Sequence, residues 1–247
     1  MTGLVGLAIV IISAVLLAVI VLTLGRIHPS FRKIAVFSQA MRFVRYVAED
    51  GTRIHFSVGN GDTLTQTGSS GLVGLAVIRR LGDFASLSDR PPIATSGNGV
   101  LNLLTTDVLQ SANDFNPEPE PFRKNSVRVT GLSPMAYTAG VLPTIRDEKI
   151  SSNIMIGNFG PEIGLIVEAA ARQNAGMIAA SDNLTAQSVL FASMKNTPPI
   201  GEELYAAGAY TESNSFHTAS LLLQDIFRWL IILALLVGAA LKLAGLL

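Results

Sequence analysis

The chain has 247 residues, no net charge and no cysteine; 49% of its residues are apolar and 15% are charged. Lack of cysteine excludes disulfides, thiolate metal sites and cysteine nucleophiles, and zero net charge excludes the global positive field that draws nucleic acid. A charged share well below the ~25% of soluble proteins points to surface that meets lipid or protein.

Residues 3–24, GLVGLAIVIISAVLLAVIVLTL, contain no charge. At about 1.5 Å per residue they span roughly 33 Å, enough for a ~30 Å hydrocarbon core. A cleaved signal would set Lys or Arg before a shorter apolar run and a small-x-small site after it. No basic residue precedes this run, and Leu24-Gly25-Arg26-Ile27-His28 is a poor cleavage site, so a retained anchor is expected. Residues 30–49 read as a basic amphipathic helix. Phe31, Ile34, Phe37 (or Ser38), Met41 and Val44 recur at helical steps, Ser30 stands where a cap belongs, and Arg32, Lys33, Arg42 and Arg45 line the other face. Such a helix packs on a domain or lies on anionic lipid.

From 51 to 212 strand and helix patterns alternate. Strands are expected at 53–58, 92–95, 126–130, 153–156 and 177–180, with a sixth short one at 197–200. Helices are expected at 70–81, 100–112, 134–147, 161–174, 184–194 and 201–210, and a Pro-rich acidic loop at 113–125. The strands are short apolar runs, as when both faces are buried. The pattern predicts an α/β fold: a three-layer, Rossmann-like domain with a mainly parallel sheet, flanked by two transmembrane helices. Strand order is not encoded in this local pattern. Residues 226–247, IFRWLIILALLVGAALKLAGLL, form the second anchor, with Arg228 and Trp229 at an interface and Lys242 near the far end.

Arg26, Arg32 and Lys33 follow the first anchor, with Arg42 and Arg45 beyond, and only the terminal amine precedes it. The excess of positive charge predicts a cytoplasmic central domain with both termini outside; Lys242 argues weakly the other way. Ala14 and Ala18, and Ala234 and Gly238, repeat small residues at the spacing that lets helices approach closely in lipid.

Three strand-to-helix turns are Gly-rich: Gly59-Asn60-Gly61-Asp62, Ser96-Gly97-Asn98-Gly99 and Gly157-Asn158-Phe159-Gly160. In a parallel sheet they gather at the carboxyl edge, where helix N-termini and backbone N–H groups favour anions. The candidate ligand-binding residues are therefore Gly59, Asn60, Gly61, Gly97, Asn98, Gly99, Gly157 and Asn158, for a phosphate- or nucleotide-like molecule. The structural reading of the same residues is that short turns need glycine for close packing. The stretch from Gly97 lacks the third glycine of the dinucleotide fingerprint, and no phosphate-loop motif occurs. Catalytic candidates are thin, and no metal site or cofactor is expected. His28, His55 and His217 lie far apart, and His55 falls inside a strand. Glu202-Glu203 reads as charge placement at a helix start. No Gly-x-Ser-x-Gly elbow occurs. Asn183-Leu184-Thr185 matches a glycosylation acceptor that a cytoplasmic domain would leave silent. Residues 151–200 carry five charges, Glu162, Glu168, Arg172, Asp182 and Lys195, so the helix at 161–174 is expected to bury apolar surface within the domain or against another copy.

Ile54–Gly61 (IHFSVGNG), Asn153–Glu162 (NIMIGNFGPE) and Ile200–Tyr210 (IGEELYAAGAY) together resemble the bacterial membrane proteins grouped as domain of unknown function 6754. The resemblance runs from the basic helix to the end of the chain. It implies a short membrane-anchored α/β protein and gives no residue a role. The leading expectation is a membrane-anchored, self-associating scaffold whose partners are the bilayer, further copies and other membrane proteins. The rivals are a small-molecule-binding or sensory module at the Gly-rich edge, and a membrane-bound enzyme whose site assembles from scattered polar residues.

Overall fold

Periodicity near 3.6 gives way to runs of β-branched residues at each Gly- or Pro-marked turn, and the elements follow it. The computed structural model describes residues 2–24, 34–65, 67–114, 116, 121–194, 197–199, 201–211 and 215–244. They divide into two units: Met1–Arg32 with Glu212–Leu247, and Lys33–Thr211.

The first unit holds α1 (Thr2–Leu24) and α9 (Ser215–Leu243). Both are long and apolar enough to cross a membrane, over Gly3–Thr23 and Phe216–Leu243. Ser13, Thr23 and Arg228 find partners within their own helices, as hydrocarbon would demand. Ser13 Oγ donates to Ile9 O at 2.7 Å and Thr23 Oγ1 to Val19 O at 3.0 Å. Arg228 pairs with Asp225 at 3.1 Å, and Trp229 is exposed beside it. The helices touch each other. Arg26, Arg32, Lys33 and the Ser30 cap lie outside the described residues.

The second unit runs α2 (Ala35–Asp50), β1 (Arg53–Gly59), α3 (Thr67–Ala85), β2 (Ile93–Ser96), α4 (Gly99–Asp114), β3 (Val127–Val129), α5 (Pro134–Asp147), β4 (Ile150–Asn158), α6 (Ile163–Arg172), β5 (Gly176–Ser181), α7 (Leu184–Ser193), a 3-10 helix (Gly201–Ala206) and α8 (Ala207–Thr211). The strands form one parallel sheet in the order β3-β2-β1-β4-β5. The chain therefore winds outward from β1 in one direction, then restarts beside β1 and winds in the other. That is the Rossmann-like arrangement expected, and its strand-order reversal falls between β1 and β4.

Side chains alternate across each strand, so the two faces have separate cores. On one face Ile54, Phe56, Val58, Ala94, Ile154, Ile156 and Ile178 meet α2, α3, α4 and Leu204 and Ala207. On the other, Met155, Phe159 and Ala179 meet α5, α6 and α7. A fully buried Ile or Phe in either core contributes roughly 1.5–3 kcal/mol. Within α2, Val36, Phe37, Ala40, Val44 and Val47 form the buried stripe while Arg42 and Arg45 stay in solvent. Gly51, at φ +62, ends the helix in the left-handed region, where its N–H reaches Val47 O.

Two expectations need correction. Thr197, Pro198 and Pro199 form no strand; each proline lacks the N–H a ladder requires. Ile200 lies outside the described residues. The helix from 161 shortens to Ile163–Arg172 and is less uniformly apolar than its composition suggests. Ile163, Ile166, Val167 and Ala170 face the core, while Glu168 and Arg172 pair in solvent at 2.6 Å.

Candidate functional site

The carboxyl edge of the sheet gathers the Gly-rich turns as one backbone-bonded unit. Asn60 N donates to Asn158 O at 3.0 Å, and Gly97 N donates to Gly59 O at 2.9 Å. All three turns thus converge around Gly59 and Asn60. Glycine is sterically required there. Gly59 has φ +76, and a Cβ on it would lie 2.2 Å from Asn158 O; one on Gly157 would lie 2.1 Å from Val58 O. Gly61 packs on Thr67 O and Gly97 on Asn60, whereas Gly99 has open space.

The helix N-termini at this edge are engaged by their own turns. Asn98 Oδ1 accepts from Val100 N at 2.8 Å and Leu101 N at 3.2 Å. Glu162 Oε1 accepts from Gly160 N at 2.9 Å. Ser133 and Asn183 cap α5 and α7, so the asparagine of the acceptor pattern at 183 serves as a cap through Thr185 N. These turns carry Asp62, Glu162 and Asp182 and no Lys or Arg.

Beside the strand-order reversal the expected Asn158 joins a polar cluster whose other members, Asp182, Tyr205 and Ser69, sequence reasoning missed. Asn158 Nδ2 donates to Asp182 Oδ1 at 2.7 Å, and Tyr205 OH donates to Asp182 Oδ2 at 3.4 Å. Tyr205 OH also meets Ser69 Oγ at 3.0 Å. Asp182 follows β5 directly, which was the one available signal. Glu202 and Glu203 stand in the first turn of the 3-10 helix. His28 lies outside the described residues, and His217 lies on α9. Among the described residues no three His, Asp or Glu side chains gather within reach of one metal ion.

Beneath the edge, between the sheet and α5, runs a second polar chain. His55 is fully buried, with Nδ1 at 3.0 Å from Asn153 Oδ1 and Nε2 at 2.8 Å from Thr95 Oγ1. Thr95 Oγ1 is 3.3 Å from Tyr137 OH, which also bonds Ser57 Oγ. Gly59 N donates to Ser57 Oγ at 3.3 Å. Donor and acceptor inventory sets the direction. An amide oxygen only accepts, so His55 Nδ1–H donates to Asn153 and Nε2 accepts from Thr95. The chain then runs one way: Gly59 N–H, Ser57, Tyr137, Thr95, His55, Asn153. Burial lowers the His55 pKa to about 4; the Asn153 hydrogen bond opposes this and the charge of Arg128 adds to it. Burial raises Tyr137 to about 12 against its hydrogen bonds to Ser57 and Thr95. Both groups are neutral at pH 7, so His55 is a satisfied core residue. Below it Glu148 joins Arg53 and Arg128, each at 2.5 Å.

No curated protein and no solved structure matches the chain. A family model described as a domain of unknown function, DUF6754, matches residues 3–246. The match spans nearly the whole chain, both apolar helices and the Rossmann-like domain included, and the chain belongs to that family.

Proposed function

We propose that this chain is a membrane-anchored scaffold. Helices α1 and α9 both cross the bilayer, and the α/β domain self-associates on the cytoplasmic face with the termini outside. The carrying observation is at the carboxyl edge, where nucleotide-binding members of this fold class leave backbone donors for phosphate. Here the Asn60, Gly97, Val100, Leu101 and Gly160 amides are engaged within the protein, and the neighbouring charges are acidic. Both features work against an anionic ligand. The positive charges after α1 support the cytoplasmic side.

A lateral surface suits a second copy. A groove of about 520 Å³ between α5 and α6 is lined by Leu142, Pro143, Leu165 and Ala169, with Arg146, Glu168 and Arg172 around it. Charges of both signs around an apolar floor are self-complementary under two-fold symmetry. Native mass measurement in mild detergent tests the reading. A closed homo-oligomer supports it, and a monodisperse monomer refutes it.

One observation favours a second reading, a ligand-binding module. The connected Asn158, Asp182, Tyr205 and Ser69 side chains sit at the strand-order reversal, beside the Gly59 and Gly157 turns. A carboxylate flanked by hydroxyls suits a neutral or cationic hydroxyl- or amine-bearing molecule. A thermal-shift screen of polyols and amines tests it; no shift at millimolar ligand removes it.

A further inference from the structure

We infer that the carboxyl edge of the α/β domain rests on the lipid surface of the membrane that its terminal helices enter. This rests on the membrane reading above and adds which face of the domain meets the lipid.

The first ground is where the chain enters and leaves the domain. Only Gly51 and Thr52 separate α2 from β1, so α2 runs antiparallel to β1. The end of α2 lies at the amino edge, where Ser88, in the connection from α3 to β2, bonds Val47 O and Thr52 O at 3.2 and 2.6 Å. Sixteen helical residues rise about 24 Å, close to the ~23 Å of seven strand residues. The start of α2 is therefore level with the carboxyl edge. The exit lies on the same side. Tyr210 in α8 stacks on Phe37 in the first turn of α2 at 5.5 Å, and Tyr205 just before it bonds Asp182 at the carboxyl edge. Both connections to the apolar helices thus leave from one edge. From Thr211 to Ser215 the chain reaches no more than about 14 Å. The turns of α9 before Asp225 add about 15 Å, so the tether permits contact without forcing it.

The second ground is what that edge exposes. Leu64 after β1 is 93% exposed, Leu132 after β3 79% and Leu184 after β5 75%; Leu103, in the first turns of α4, is 71% exposed. Met135 at the start of α5 is exposed too. One exposed leucine is ordinary; here Leu132, Leu103 and Leu64 follow the adjacent strands β3, β2 and β1, with Leu184 beyond the β4 turn, after β5, and together they make that edge apolar. At the opposite edge, among the described residues, Leu87 is the sole exposed large apolar residue in the helix-to-strand connections, and Tyr46 and Phe191 are exposed toward the ends of α2 and α7. Water-facing turns have no use for this asymmetry, whereas a leaflet takes up such side chains at the headgroup boundary. The same turns carry Asp62, Glu162 and Asp182 without a basic residue, so the contact is apolar and independent of anionic lipid. The Asn158–Asp182–Tyr205 cluster then opens toward the bilayer interface, and any ligand it takes arrives from there.

The chain has no cysteine, so single cysteines give clean labelling sites. The full chain is reconstituted in phosphatidylcholine vesicles with an environment-sensitive fluorophore at Leu64→Cys, Leu132→Cys, Leu184→Cys, Leu87→Cys or Val10→Cys. Lipid carrying a shallow nitroxide quencher is then added, with and without anionic lipid. The expected result is loss of emission at positions 64, 132 and 184, none at 87, and no change with anionic lipid. Equal quenching at 87 and the edge positions, or none at either, overturns the inference. A blue shift without lipid quenching shows that protein covers the edge, most simply a second copy, and also overturns it. Val10→Cys, in mid-α1, reads the underlying assumption separately: without quenching there by a deep nitroxide, the membrane reading itself fails.

Discussion

Lowering the pH should destabilise the α/β domain through His55, and the size of the effect follows from its burial. His55 in the folded chain stays neutral down to about pH 4, against 6.5 for an exposed histidine. Between those values the unfolded chain binds a proton that the folded chain refuses, so stability falls as pH falls. Above pH 6.5 the residue adds no pH dependence; below about pH 4 both states are protonated and the loss is complete. At 1.36 kcal/mol per pKa unit the full cost is about 3 kcal/mol. His55→Gln removes the titrating group at some constant cost to the buried chain. Urea unfolding of the detergent-solubilised wild type and variant, followed by far-ultraviolet circular dichroism, compares them at about pH 7 and about pH 4. The wild-type advantage should shrink by about 3 kcal/mol at the lower pH. An unchanged gap would refute the assignment of a neutral, buried His55, because carboxylates elsewhere titrate equally in both proteins.

Other substitutions probe different parts of the account. Gly157→Ala puts a Cβ 2.1 Å from Val58 O, a backbone atom that cannot retreat without parting β1 from β4; a loss of about 3 kcal/mol or more is expected, and wild-type thermal stability would contradict it. Glu148→Gln leaves Arg53 and Arg128 without their shared carboxylate. The site is partly exposed, so a loss of about 2 kcal/mol is expected by denaturant titration. Ser133→Ala removes the acceptor for Ala136 N at the start of α5, worth about 1 kcal/mol. Leu165→Asp charges the floor of the α5–α6 groove at a half-exposed position. It should reduce the native mass to that of a monomer while leaving the circular dichroism spectrum intact.

The fold class was legible because parallel strands and their crossover helices have unlike periods, and Gly- or Pro-rich turns mark each change. Strand limits were harder where polarity interrupts the apolar run. Ile150, Ser151 and Ser152 belong to β4 but precede the segment its hydrophobicity marks. Ser151 is tolerated there because its hydroxyl bonds Thr52 at 2.7 Å. In β1, Arg53, His55 and Ser57 alternate with Ile54, Phe56 and Val58. That alternation was the available sign that one sheet face carries a buried polar chain, and Tyr137, eighty residues on, completes it only through the fold. The glycine turns could be located from sequence. Which of them touch depends on strand order, a non-local property, and so does the pairing of Asn158 with Asp182. The Pro198-Pro199 segment misled because apolar composition outweighed the missing donors.

The account depends most on a chain anchored through both ends with its α/β domain on one side of the membrane. Single cysteines at Thr2, Leu87 and Leu247 can be probed in intact cells with a membrane-impermeant maleimide, before and after permeabilisation. Labelling of positions 2 and 247 in intact cells, with position 87 reacting only after permeabilisation, is the predicted result. Positions 2 and 247 reacting on opposite sides, or 87 reacting together with them, would contradict it.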